Sequence, residues 1–311
     1  MTAAPSVTPI FLFSLPRSGS TLVQRVLASH ADVATASEPW LLLPFVYALR
    51  DRGVRSEYAA VPAARALNHF VEQLPGGLDD YLQELRSMAE HLYARAAAGR
   101  PYFLDKTPRY HFVVDEMFRI FPDARFLFLW RNPLAVVASI VQTWTRDRWG
   151  LGRWRADLFE GLGRLVAAYE ANRDRAQAVR FEDLVSGPAG WPAIFAHLGL
   201  AYDPSVTSRF TEVQLDGEMG DKTGVTRYGG LSKEPIDRWQ QAISNPFRKR
   251  WCRAYLAWIG ERRLAVMGYD LDELIAQLEQ IPDGSRRLGI DLAYRAYDEV
   301  AGRRRQAGLR A

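Results

Sequence analysis

Apolar and polar positions along the chain fall into segments of two different periods. The run Ile10-Phe11-Leu12-Phe13-Ser14-Leu15 is almost continuously apolar, which predicts a strand covered on both faces. Beyond Pro16-Arg17-Ser18-Gly19-Ser20-Thr21, the residues Val23, Val26 and Leu27 recur at three- and four-residue steps, which predicts a helix. Val33 to Ser37 reads as a second short strand ending at Glu38. Further strands are expected at Tyr102-Phe103-Leu104, Phe126 to Trp130 and Ala178-Val179-Arg180-Phe181, with helices over Tyr110 to Phe121, Leu134 to Thr143 and about Arg155 to Arg175 between them. Strands alternating with helices imply right-handed crossovers in one parallel sheet.

The stretch from about 40 to 100 breaks this alternation. It is helical and irregular, with an amphipathic helix expected from Leu78 to Ala98 between Pro75-Gly76-Gly77 and Gly99. Insertions at the carboxyl edge of a sheet commonly build substrate pockets, so this segment is expected to cover an acceptor site. From Pro188 the chain is expected to be helical to Leu200 and then loop-like, with glycines around Lys222, Arg227 and Lys233 that bring backbone close to an anion or form a surface loop. Helical packing follows from Trp239, and a helical extension over about 280–311, with a final charged helix from Arg286 to Arg305, ends the chain. There are no repeats, and a single domain over 1–311 is expected.

The turn after the first strand carries the chemistry. Backbone N–H groups at the start of a helix have no partners within it, and the helix dipole behind them favours an oxyanion. The ATP-binding P-loop ends in Gly-Lys-Ser/Thr, whereas this loop ends in Gly19-Ser20-Thr21, and its nearest cation is Arg17. In open parallel sheets ligands lie outside the carboxyl ends of the strands. Lys106 in Asp105-Lys106-Thr107-Pro108 and Arg131 in Arg131-Asn132-Pro133 follow two such ends, so both are expected on the same edge as Arg17. Arginine suits a phosphate because its planar fork can hold two oxygens. Each of these residues also has an ordinary reading: Glu38 as a carboxylate at a helix start near Trp40, Lys106 as a surface lysine, Asp105 as a turn cap.

Leu15-Pro16-Arg17-Ser18-Gly19-Ser20-Thr21, running on into Leu22, resembles the 5′-phosphosulfate loop of sulfotransferases that use 3′-phosphoadenosine 5′-phosphosulfate. The pair Arg131 and Ser139 resembles that family's 3′-phosphate site. Val179-Arg180-Phe181-Glu182-Asp183-Leu184 is similar to the strand end that borders the adenine, with Phe181 where the family usually has tyrosine. Tyrosylprotein sulfotransferases have a general base at the glutamate matching Glu38 and a lysine matching Lys106. The resemblance implies a P-loop-like three-layer α/β sandwich with a central parallel sheet and a helical insertion. It implies sulfuryl transfer without a metal, with Glu38, Arg17 and Lys106 catalytic. The donor would be held by Arg17, Ser18, Gly19, Ser20, Thr21, Leu22, Arg131, Ser139 and Phe181, with Arg227 and Lys233 on a loop folding over the nucleotide. The chain resembles the soluble bacterial members of the family.

Charge and cysteine content sharpen this picture. A net charge of +4 with acidic and basic residues interspersed fits an anionic ligand but marks out no nucleic-acid patch. The aromatic and basic cluster Trp144 to Trp149 reads as a pocket wall rather than a nucleic-acid platform. Cys252 is the only cysteine, so neither an intrachain disulfide nor a cysteine metal cluster can form, and a cytoplasmic location is expected. No apolar run approaches the ~20 residues of a membrane span. The acceptor is a hydroxyl on a small metabolite, lipid, carrier-bound acyl chain, sugar or peptide, and a homodimer is left open. His69 and His91 read as ordinary histidines, with His69 and His111 the next bases to consider after Glu38. Two other readings stand beside sulfuryl transfer: a P-loop-type nucleotide-dependent kinase, and a non-catalytic nucleotide-binding protein.

Overall fold

Alternation along each strand decides which side of the sheet a side chain serves. In the computed structural model, which describes residues 7–215, 230–243 and 245–294, β1 (Thr8–Ser14) sends Phe11 and Phe13 into one core, and Ile10 and Leu12 into the other. Strand β4 (Arg125–Trp130) divides in the same way, with Phe126, Phe128 and Trp130 against Leu127 and Leu129. β2 (Val33–Thr35), β3 (Tyr102–Asp105) and β5 (Ala176–Arg180) complete a five-stranded sheet in the order β2-β3-β1-β4-β5. Every adjacent pair is parallel.

Helices cover both faces, which gives the three layers expected. α1 (Ser20–Ala28), together with α8 (Phe181–Ser186) and α9 (Trp191–Leu198), packs Val23, Val26, Leu27, Leu184, Ile194 and Phe195 on the Ile10–Leu12 side. The opposite core takes α4 (Leu78–Ala97), α5 (Val114–Ile120), α6 (Pro133–Trp144) and α7 (Leu162–Ala171), and is rich in stacked and tilted aromatics around Phe11, Phe118 and Phe126. Between β2 and β3 the chain also forms α2 (Leu43–Tyr47) and α3 (Ala60–Glu72), so the helical insertion lies where the sequence predicts it.

Several boundaries differ from expectation. The helix expected over Tyr110 to Phe121 is a 3₁₀ turn, Pro108–Phe112, followed by α5, with Val113 at φ −134° interrupting them. The long helix expected to Arg175 begins as a π-turn, Ala156–Gly161, and ends at Ala171. Phe181 opens α8 instead of closing β5. The helix expected to start near Trp40 is α2, which begins at Leu43 after the irregular residues 38–42, with Leu42 and not Glu38 at its cap. The expected final charged helix is described only for its first residues, 288–294. Among the described residues no helix is long and apolar enough to cross a membrane.

Candidate active site

The loop from β1 to α1 turns through two left-handed residues, Arg17 at φ 69° and Gly19 at φ 89°. Gly19 caps α1 without any side-chain hydrogen bond, leaving the helix start open to an anion. A Cβ at Gly19 would lie 2.3 Å from the Phe181 ring, so glycine is required both by the backbone and by the close approach of α8. Phe181 is 5% exposed and carries the Arg131 guanidinium 4.6 Å from its ring centroid. Its ring therefore packs the loop and supports an arginine, and leaves little open face for a base to stack on.

Arg131 donates from Nη1 to the Arg17 carbonyl at 2.8 Å and from Nη2 to the Pro235 carbonyl at 3.1 Å. The Arg17 side chain reaches the other way, donating from Nε to Ser139 Oγ at 3.1 Å and from Nη2 to Thr143 Oγ1 at 3.3 Å, with Trp144 beneath it. The loop and the Arg131–Ser139 pair, separate motifs in the sequence, are thus one hydrogen-bonded assembly. They border a cavity of about 400 Å³, within the range of small-molecule sites. Arg17, Arg25, Arg131 and Arg238 line it, and among the described residues no carboxylate does. Gly19, Thr21, Leu22, Ser139 and Phe181 also face it, while Ser18 and Ser20 are buried without lining it. Lys233 is exposed at the N-cap of Glu234–Asp237 and does not line the cavity, and Arg227 lies outside the described residues.

Glu38 and Lys106 meet at the ends of β2 and β3. Lys106 Nζ donates to Glu38 Oε1 at 2.7 Å, with the two side chains 1% and 11% exposed respectively. Lys106 is therefore not a surface lysine; a buried ammonium is tolerable only when paired. The second carboxylate oxygen accepts from Trp40 Nε1 at 3.2 Å. Gln24 on α1 fixes the approach to Glu38, its Nε2 lying 2.8 Å from Thr35 Oγ1, 2.6 Å from the Ala36 carbonyl and 3.0 Å from that of Ser37. Asp105, expected as a turn cap, is fully buried and accepts from Tyr93, Tyr110 and Thr107 hydroxyls at 2.6 to 2.9 Å. Burial pushes its carboxyl above the ordinary value against these donors. The result is a rigid end to β3 from which Lys106 departs.

A second, open cleft of about 2130 Å³ lies under the insertion, bounded by Trp40, α2, α3 and the Pro108–Phe112 turn. His69 borders it as an exposed residue, and His91 is exposed on α4. His111 is buried, with Nε2 3.0 Å from Asp157 Oδ1, and burial lowers its pKa. Sequence reasoning overlooks Gln24, Arg25, Thr143, Arg238 and the Asp157 pair. Arg25 was within reach, since it follows Thr21 by one helical turn on α1 and faces the same cavity. Arg238, which also faces the cavity, is 3.7 Å from Glu234. Among the described residues no group of three or more His, Cys, Asp or Glu side chains could hold a metal ion.

Comparison with known proteins bears on this arrangement. The family model described as "Sulfotransferase family" matches residues 9–204. Nodulation protein NoeE of Sinorhizobium fredii is 32% identical over 220 residues, covering 63% of this chain and 50% of that protein. Protein-tyrosine sulfotransferase of Drosophila melanogaster is 27% identical over 280 residues, covering 84% of this chain and 51% of that protein. The chain thus spans about half the length of these curated relatives. Among solved structures, the "Sulfotransferase Domain from the Curacin Biosynthetic Pathway" aligns with a TM-score of 0.55 at 19% identity, over 85% of this chain and 98% of that one. At that identity the likeness is one of fold.

Proposed function

The chain belongs to the sulfotransferase family, and from that premise we propose that it moves the sulfuryl group of 3′-phosphoadenosine 5′-phosphosulfate to an acceptor hydroxyl by in-line displacement. The observation that carries this reading is the 400 Å³ cavity with four arginines and no carboxylate in its described lining, bordered by a bare helix start and by the Arg131 and Ser139 side chains that are hydrogen-bonded to the same loop and to Arg17. Such a cavity favours a ligand that carries several anionic groups, as this donor does. When bound, the donor supplies the sulfuryl group and departs as adenosine 3′,5′-bisphosphate.

The chain's own residues would then divide the work. The acceptor oxygen bonds to sulfur as the bond from sulfur to the phosphate oxygen breaks, the leaving phosphate keeping that electron pair. Glu38 takes the hydroxyl proton, and Lys106, 2.7 Å from it, supplies positive charge beside the transferring group. Arg17 and the N–H groups at the start of α1 balance charge on the leaving phosphate. Positioning and electrostatics carry such a reaction, with no covalent intermediate required.

The test is direct. In EDTA, adenosine 3′,5′-bisphosphate at a hundredfold excess over its dissociation constant should stabilise the protein by about 2.7 kcal/mol. Radiolabelled donor incubated with cell extract should label a hydroxylated acceptor. No thermal shift with the bisphosphate, or phosphoryl transfer from ATP with Mg²⁺ in its place, would overturn the reading.

A further inference from the structure

We propose that Arg109 selects acceptors that carry an oxyanion, a carboxylate or a phosphate, beside the hydroxyl to be sulfated. This rests on the sulfotransferase reading and deepens it by naming the acceptor's chemistry. Glu38 and Lys106 do not line the 2130 Å³ cleft, but Trp40 stands between: it lines the cleft, donates from its indole to Glu38, and donates from its backbone N–H to Thr107 Oγ1 at 3.2 Å. Arg109 stands two residues beyond Thr107 on the 3₁₀ turn and lines the same cleft. It is the cleft cation whose turn leads directly back to the reacting pair.

Its side chain is built into place. Arg109 Nη2 donates to Asp157 Oδ2 at 3.0 Å, and the guanidinium lies 5.9 Å from the Trp154 ring centroid. Asp157 is 1% exposed and holds His111 on its other oxygen at 3.0 Å. The π-turn Ala156–Gly161 presents Asp157 inward, and a Cβ at Gly161 would lie 2.8 Å from the His111 ring, so only glycine admits that ring. A guanidinium has five N–H donors, and this anchor uses one. The rest remain on a side chain one third exposed to the cleft.

The surroundings favour an anion as well. Arg52, Arg55 and Arg65 line the cleft, are exposed and make no ion pair among the described residues; the cleft's carboxylates are Asp51, Glu72 and Glu160, the last paired with Arg164 at 2.7 Å. Trp40, Leu43, Pro44, Tyr47 and Phe112 supply an apolar floor. A hydroxylated acid with an apolar or sugar body meets both surfaces.

The experiment uses the full chain saturated with adenosine 3′,5′-bisphosphate and three matched probes: p-hydroxyphenylpropanoate and hydroxydodecanoate, each against its methyl ester, and glucose 6-phosphate against glucose. Binding is read by tryptophan fluorescence and thermal shift. The anionic member of at least one pair should bind roughly ten- to a hundredfold tighter, the worth of a charge-assisted contact. The winning pair tells carboxylate from phosphate. Arg109→Gln should reduce that ratio to about twofold and Arg109→Lys should restore part of it, with binding of the neutral member and of the bisphosphate unchanged. Asp157→Asn, which releases the anchor, should lower the ratio without touching bisphosphate affinity. No anionic preference in any pair, or a preference that survives Arg109→Gln, overturns the proposal. Loss of bisphosphate binding by the unmodified protein would strike at the sulfotransferase reading instead.

Discussion

Gly19→Ala tests the anion loop without knowledge of the acceptor. Two costs can be worked from the structure. The backbone at φ 89° is left-handed, and an L-residue there costs about 1–2 kcal/mol. The new methyl would stand 2.3 Å from the Phe181 ring, and relieving an overlap of that kind in a packed core costs typically about 1–3 kcal/mol. The expected loss is therefore about 2–5 kcal/mol, read from urea unfolding with the slope unchanged. Phe181 also supports Arg131, which donates to the Arg17 carbonyl, so bisphosphate affinity should fall with stability. The second cost depends on the ring and the first does not. In a Phe181→Ala background, Gly19→Ala should cost only the backbone part, giving a coupling of about 1–3 kcal/mol between the two substitutions. Additive losses, within about 0.5 kcal/mol, would show that the ring and the glycine are not in the contact described and would refute the reasoning.

Glu38→Gln should leave bisphosphate affinity within a few-fold and lower turnover about 10²–10⁴-fold; turnover per folded molecule near that of the unmodified protein would move the base role elsewhere. Arg131→Ala and Ser139→Ala should each weaken adenosine 3′,5′-bisphosphate far more than adenosine 5′-phosphosulfate, measured by calorimetry, and equal losses for both ligands would remove the 3′-phosphate from their charge. His111, whose pKa burial lowers from 6.5, binds fewer protons folded than unfolded. Its contribution to stability is accordingly complete above 6.5 and is lost as pH falls toward the depressed folded value. His111→Gln should flatten the melting temperature between about pH 5 and 7, and an unchanged slope would show that another group controls it.

How much of this was legible in the sequence depended on whether neighbours in space were also neighbours in the chain. The first strand, glycine turn and helix were readable because they follow one another within residues 8–28, and period and turn chemistry are local properties. Lys106 and Arg131 were placed correctly on one edge because a parallel sheet puts successive strand ends together, and β3, β1 and β4 are indeed adjacent. The bond from Arg17 to Ser139 spans 122 positions, and no pattern in the chain announces it. The same holds for the Asp157 anchor, which a π-turn turns toward His111 where the periodicity predicts an ordinary helix. Phe181 is a further case: the resemblance implies that it borders the adenine, but nothing in the chain announces that its ring crowds Gly19, where a Cβ would stand 2.3 Å from it.

The separation of charges between the two compartments has a physical logic that bears on Glu38. A carboxylate inside the arginine cavity would oppose an anionic donor, by about 4 kcal/mol per charge pair at 4 Å with an effective dielectric of 20, and the described lining contains none. The base of the proposed reaction, Glu38, must nevertheless stand near the reacting oxygen. Placing it at the end of β2 and matching it with Lys106, itself 1% exposed, meets both demands: the carboxylate is masked while the donor enters, and it is held by Trp40 on its other oxygen. On the proposed reading, which sets Glu38 beside the donor, removing the lysine alone would be worse for binding than removing both, because it leaves a bare carboxylate there. Lys106→Met should weaken bisphosphate binding and destabilise the fold by about 3–5 kcal/mol, the cost of an unpaired buried charge. Glu38→Gln with Lys106→Met should recover much of both losses while remaining inactive. If the double substitution is as weakly bound and as unstable as Lys106→Met alone, the pair is not masking the base, and the charge of Lys106 serves the ligand alone.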